Sequence, residues 1–279
     1  MRTTRKIRRA AVCAAFLAAS FAIFPAAHAE IKTVTGTGTY QVGDGVEESI
    51  PIAQQRAIER ATRNASEKAG VYVESFSAES QGVITQDELK IIAATVLEVR
   101  ESKVKLEVVA GGQALRYRAN VVAVVDTDNI SKFLKRPEND RDAIIRMHQE
   151  MEEEAAKIGA EIETLKKQYH KADEEEQRRI NEEVKRNERM FQAEQCYEEA
   201  IRCLGRQDGQ GAIEQFRKAI EIAPENEHVD TLWGRLGTTY YEMGDYDASM
   251  KAFEAALKRN PGNEEWKQWI EIVKAKSNL

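Results

Sequence analysis

The sequence predicts an α+β domain, then a long charged helical arm, then an all-α domain of repeated helix pairs. Three patterns carry that prediction. Hydrophobic residues alternate with polar ones between 103 and 125, recur every seven residues between 144 and 172, and a set of positions recurs 37 residues further on near the C-terminus. Alternation marks a half-buried strand, a seven-residue period a helical seam, and a constant offset a structural repeat. The chain accordingly divides into residues 1–29, 30–135, 136–190 and 191–279.

In the second of these parts Val104, Leu106 and Val108 alternate with Lys103, Lys105 and Glu107. Leu115, Tyr117, Ala119, Val121, Ala123 and Val125 continue the period of two beyond Gly111-Gly112, which predicts a β-hairpin with one buried face. Upstream, Ser49-Ile50-Pro51 opens a helix in which Ala53, Ala57, Ala61, Ala65 and Ala69 recur every four residues. Such a stripe of small side chains lets a helix lie close on a sheet. Gly70 is expected to stop this helix and Val71 to Phe76 to form a further strand. Thr85-Gln-Asp-Glu88 is a capping box that starts a second helix running through Ala94. Gly36 and Gly38 belong to a strand, and Gly43-Asp-Gly45 to a turn.

The charged arm carries Ile144, Met151, Ile158, Leu165 and Ala172 at seven-residue spacing, with His148, Ala155, Ile162 and Tyr169 between them on the same stripe. The pattern lapses from Asp173 to Arg179 and resumes in a new register at Ile180, Val184, Asn187 and Phe191. Two readings remain open: one helix that changes face, or a hairpin in which Asp173 caps the second helix. The stripe likewise suits either packing on its own chain or a homo-oligomer formed through the arm.

In the last part Ala212, Phe216, Ala219 and Pro224 are followed 37 residues later by Ser249, Phe253, Ala256 and Pro261. Trp233, Leu236, Gly237 and Tyr240 add the spacing W-x2-L-G-x2-Y. With Phe253, Ala256 and Pro261 this resembles the tetratricopeptide repeat. The preceding unit is degenerate, with Cys196, Ala200 and Cys203 in place of the tryptophan, glycine and tyrosine, so both cysteines are expected in the core. Seven residues apart on one helix, they stand about 10.5 Å apart along its axis and cannot form a disulfide with each other. Trp266, Ile270 and Val273 supply one face of a final capping helix.

The N-terminus reads as a secretory signal. Arg2, Arg5, Lys6, Arg8 and Arg9 precede an apolar stretch from Ala10 to Ala26, and Ala27-His-Ala29 offers small residues for cleavage before Glu30. Pro25 and the shortness of the stretch argue against a membrane span. Removal of these five from the 41 basic residues leaves 36 against 47 acidic ones, a net charge of −11. That excess opposes binding to nucleic acid or anionic membrane surfaces. The expected location is the periplasm or cell envelope.

A second resemblance concerns the α+β part. Thr35-Gly-Thr-Gly38, the alanine-spaced helix, Ala69-Gly-Val-Tyr-Val-Glu-Ser75, the Thr85–Glu88 helix start and the closing hairpin resemble the N-terminal domain of the flagellar assembly protein T family and related small outer-membrane lipoproteins. The resemblance implies an envelope setting and ends near residue 135.

No motif for catalysis stands out. Beyond the leader, histidines occur only at 148, 170 and 228, His148-Gln-Glu-Met151 lacks the second histidine of a zinc protease, and no cofactor or metal site is expected. The tetratricopeptide resemblance implies protein partners, held on the concave face by the first helix of each pair. Here that face would include Tyr197, Ile201, Leu204, Thr238, Tyr241 and Glu242. Lacking the lysine and asparagine with which some family members grip a terminal carboxylate, it would take an apolar or aromatic internal segment. The expected function is that of an exported, non-enzymatic adaptor. A structural subunit of an envelope or flagellar assembly is the alternative, and an enzyme in the α+β domain a more distant one.

Overall fold

The computed structural model describes residues 30–42, 46–77, 84–109 and 114–277. The leader with Ala29, the Gly43–Gly45 turn and the Gly111-Gly112 turn lie outside the described residues.

The first unit comprises β1 (Ile31–Val42), α1 (Ile50–Ser77), α2 (Gln86–Val96), β2 (Leu97–Val109) and β3 (Ala114–Asp126). The strands form an antiparallel sheet in the order β1-β3-β2, with Leu106 opposite Tyr117 and Tyr117 opposite Tyr40. The alanine stripe of α1 is fully buried against this sheet. Contact is close enough that a Cβ placed on Gly36 would stand 1.8 Å from the Ala61 carbonyl oxygen, so only glycine admits the helix here.

The expected strand at Val71–Phe76 does not form, because α1 continues through Gly70 to Ser77. Val73 falls four residues after Ala69 and extends the buried stripe by one turn. Packing on that stripe outweighs the strand preference of Val-Tyr-Val. The capping box at Thr85 is present: Glu88 N donates to Thr85 Oγ1 at 3.2 Å, and Thr85 N donates to Glu88 Oε2 at 2.7 Å. The hairpin's expected buried face is only partly covered. Tyr117, Ala119, Val121, Ala123 and Val125 are buried, whereas Leu106, Val108 and Leu115 are exposed. α1 lies on β1 and β3 and touches β2 only slightly.

After α3 (Thr127–Leu134), α4 (Glu138–Tyr169) and α5 (Glu174–Gly205) form a helical hairpin. Asp173 caps α5, its Oδ1 accepting from the amides of Glu175 and Glu176 at 3.0 and 2.9 Å. Of the two readings left open by the sequence, the hairpin is therefore the one observed. Ile158 and Ile162 pack with Met190, and Leu165 with Ile180 and Val184, so the seven-residue seam is buried within the chain. α5 then runs unbroken past residue 190 and becomes the first helix of the degenerate repeat unit.

That unit is completed by α6 (Gly209–Ile222), and the next consists of α7 (Val229–Glu242) and α8 (Tyr246–Arg259). Phe216, Ala219, Phe253 and Ala256 are fully buried at equivalent places, Leu236 and Tyr240 are buried, and Trp233 is half-buried against the same core. Pro224 and Pro261 follow the second helix of each pair. Cys203 is buried and Cys196 half-buried, and burial pushes the Cys203 thiol up to about 11. α9 (Glu264–Ser277) closes the array, with Phe253 stacked between Trp266 and Trp269 at ring-centroid distances of 5.9 and 5.8 Å. Among the described residues no helix is long and apolar enough to cross a membrane.

Buried charge joins the sheet unit to the hairpin. Lys166 Nζ on α4 lies 2.8 Å from Glu48 Oε2, which precedes α1, and both side chains are almost wholly buried. The Tyr40 hydroxyl of β1 donates to Glu48 Oε1, and burial raises the phenol to about 12. The Arg56 guanidinium of α1 lies over Tyr40 and over Phe191 of α5, at 5.4 and 4.6 Å from the ring centroids. Lys166→Met is expected to lower stability by about 3–5 kcal/mol by leaving a buried carboxylate unpaired. Lys166→Met/Glu48→Gln is expected to recover part of that loss, both being measured by urea unfolding.

Candidate protein-binding cleft

The concave side of the array is built from the first helix of each unit, and one stripe of α7 faces outward there. Thr231, Arg235, Thr238 and Glu242 recur at helical spacing and line connected hollows. α4 forms the opposite wall through Asp140, Ile144, Met147 and Glu150, and α9 contributes Glu265 and Trp269. Neighbouring hollows share Arg235 and Glu265, and then Arg136, Leu204 and Glu242, so they adjoin as sections of a cleft along α7.

Arg235 occupies the middle of this cleft. Its guanidinium reaches across to Glu265 on α9 at 3.3 Å and to Glu150 on α4 at 3.7 Å, while lying 5.4 Å from the Trp266 ring centroid. Gly234 makes room for that ring, since a Cβ there would stand 2.3 Å from it. Beyond Arg235 the cleft deepens into a cavity of about 300 Å³ between α4, α5, α7 and α9. Four buried polar atoms of its lining lack a hydrogen-bond partner of good geometry: Glu194 Oε2, Tyr197 OH, Arg235 Nε and Trp266 Nε1. Burial pushes the Tyr197 phenol up, although the Arg235 guanidinium beside it opposes this. Burial likewise holds the Glu194 carboxyl protonated to about pH 8, reinforced by Glu154 and then Glu198. At neutral pH the cavity is therefore lined by tyrosine, arginine, tryptophan and a neutral carboxyl, with their unpartnered atoms enclosed in its wall.

Three side chains converge at the cavity's mouth, Glu154 of α4 with the consecutive Glu227 and His228 that precede α7. His228 Nε2 lies 3.3 Å from Glu154 Oε2 and 3.6 Å from Glu227 Oε1, and one ligand atom from each lies within 4.8 Å of the others. Such a group could hold a divalent ion. It is equally self-sufficient as an imidazole between two carboxylates, with Glu227 and His228 exposed.

The six groove residues expected from the sequence separate. Leu204, Thr238 and Glu242 line the cleft and Tyr197 lines the inner cavity. Ile201 is fully buried in the main core, and Tyr241 packs against Tyr246 and Trp269 instead. With its apolar members turned inward, the cleft is more polar than the apolar or aromatic groove expected. Arg235, Glu194 and Trp266 were not anticipated as lining. Stepping back from Thr238 and Glu242 along the helix would have reached Arg235 and Thr231, and Glu194 stands 37 residues before Thr231.

Residues 231–263, the stretch spanning α7 and α8, match the tetratricopeptide repeat family. No curated protein matches the chain at a significant level. The matched repeat supports protein–protein interaction, with partners of unknown identity.

The Glu194 carboxyl sets a pH dependence whose sign follows from its proton. Between about 4.5 and about 8 the folded chain retains a proton that the unfolded chain has lost, so this group's contribution makes stability fall as pH rises. Glu194→Gln is expected to match the wild type below that window. Above it the variant should be the more stable, by an amount on the order of a few kcal/mol, as thermal unfolding across pH 4–9 would reveal.

Proposed function

We propose that this chain is an exported adaptor of the cell envelope that holds an extended segment of a partner protein between α4 and the concave face of α7. The observation that carries this reading is the polar cleft beside the matched repeat, whose sections adjoin along α7 and are bridged at Arg235. Burying a polar group without a hydrogen bond is costly. An incoming backbone carbonyl or acceptor side chain would meet the Arg235 guanidinium in the middle of the cleft. The partner segment is thus one that presents acceptors, rather than a purely apolar strip.

The leader pattern before Glu30 supports export, and the resemblance of residues 35–125 to the flagellar assembly protein T N-terminal domain suits docking in the envelope. Under this reading residues 30–135 position the protein and the repeats select its partner. The arm's hairpin serves both purposes, since α4 joins the Glu48 pair at one end and forms the cleft wall at the other.

Cell fractionation followed by intact-mass measurement tests export, with a mature chain beginning at Glu30 as the expected result. A chain retaining residues 1–29 in the cytoplasm would reject it. For the cleft, a photo-crosslinking side chain at position 238 should capture a partner from envelope extracts. Thr238→Lys/Glu242→Lys should abolish capture by a probe placed at position 231 without changing the melting temperature. Capture that survives this double substitution would move recognition away from the cleft.

A further inference from the structure

The free edge of β2 is a long strand edge bearing an uncovered apolar row. β2 pairs with β3 on one side only, and its other side has no strand neighbour among the described residues. On the face it shares with Tyr117 and Ala119, Leu106 is 54% exposed, Val108 68% and the neighbouring Leu115 37%. Soluble proteins usually protect such edges with charge, bulges or a covering element. Here the bulge lies at the other end, between Val99 and Glu101, and the outer half of the strand pairs in unbroken register.

The charges on that outer half alternate with the apolar row in a self-complementary order, Val104-Lys-Leu-Glu-Val108. Antiparallel pairing with a second copy about a two-fold axis through Leu106 would set Leu106 opposite itself. Val104 would meet Val108 twice on the apolar face. On the other face Lys105 would meet Glu107 twice, an opposite-charge pairing of the kind that stabilises neighbouring strands. Glu107 already receives Arg118 at 2.6 Å from within its own sheet, so a lysine from the second copy would complete a three-membered charge cluster. Centring the axis on Val104 would instead oppose Lys103 to Lys105 and Glu101 to Glu107, juxtaposing like charges.

We propose that two copies of this chain join edge to edge through residues 104–108 of β2, with the axis at Leu106, and form one six-stranded antiparallel sheet. The union is isologous and closes on itself, since each copy contributes the same edge. It sets the apolar rows of the two copies side by side, so that Leu106, Val104 and Val108 bury surface against their counterparts, and involves no residue of the cleft. Its success or failure is therefore independent of partner binding.

Light scattering coupled to size exclusion, run on the exported chain over a hundredfold concentration range, tests the proposal. The wild type should be a dimer at the upper end of that range. Leu106→Lys would bring two like charges together at the axis and should raise the dissociation constant tenfold or more, with the circular dichroism spectrum unchanged. Lys105→Glu should weaken the dimer by opposing like charges at both outer positions, and Lys105→Glu/Glu107→Lys should restore it. A wild-type monomer throughout, a dimer indifferent to Leu106→Lys, or a charge swap no tighter than the single variant would each overturn the proposal.

Discussion

The ion pair between Lys166 and Glu48 is the contact on which the relative placement of the two halves depends. A lysine and a glutamate buried together lose their hydration, and the pair holds only where each charge finds close partners. Here the partners come from four elements: Glu48 from the segment before α1, Tyr40 from β1, Arg56 from α1 and Lys166 from α4. Ser49 adds a main-chain amide, donating to Glu188 Oε1 of α5 at 2.6 Å. A hydrophobic contact would tolerate sliding between the hairpin and the sheet. This network does not, because displacement by one helical turn would strand a charge.

Once the hairpin is seated on the sheet, the repeats follow from it. Two helix-pair units, one of which matches the tetratricopeptide repeat, are fewer than the ~3 an independent array commonly needs. The shortage is met because α5 belongs to both structures: its first half packs on α4, and its second half is the opening helix of the degenerate unit. Gly205, near its end, lies so close to α2 that an added Cβ would stand 2.1 Å from Thr95 Cγ2. Arg136 donates to the Leu204 carbonyl at the same corner. A single core accordingly extends from Val34 on β1 to Leu236 on α7. The second unit then needs only α9 to cover its far side.

The sequence made the local elements readable wherever one period dominated. The alanine stripe, the Thr85 capping box, the hairpin strands and the repeat positions from Trp233 to Pro261 all have signals confined to one element, and each appears near its expected place. Val71–Phe76 was misread because its own preference and the stripe it extends conflict, and the deciding partner, the sheet, is remote in sequence. The charged arm was ambiguous for a related reason, since a seven-residue seam does not say which chain or segment fills it. The cleft was legible only in half. Leu204, Thr238 and Glu242 follow from helical phase, but the inward turn of Ile201 and Tyr241 depends on where α4 and α9 come to rest. The convergence of Glu154 with His228 likewise arises only when α4 folds back.

Among the described residues eight buried side-chain polar atoms, besides the Glu48 Oε2 that Lys166 pairs, lack a hydrogen-bond partner, and four of them line the cavity beside Arg235. Scattered orphans would suggest small imperfections of packing, whereas this concentration points to a shared cause. Local relaxation offers little relief. Trp266 is pinned between the backbone of Gly234 and the ring of Phe253, and Arg235 is tied to opposite walls by Glu150 and Glu265. Burial, reinforced by Glu154 and then Glu198, disfavours ionisation of Glu194 at neutral pH. The fold thus encloses these groups at the inner end of the cleft, with the Arg235 guanidinium beside the Tyr197 hydroxyl. A partner segment reaches them only after Arg235 leaves Glu150 and Glu265, and that reordering lowers the affinity the added hydrogen bonds would otherwise give.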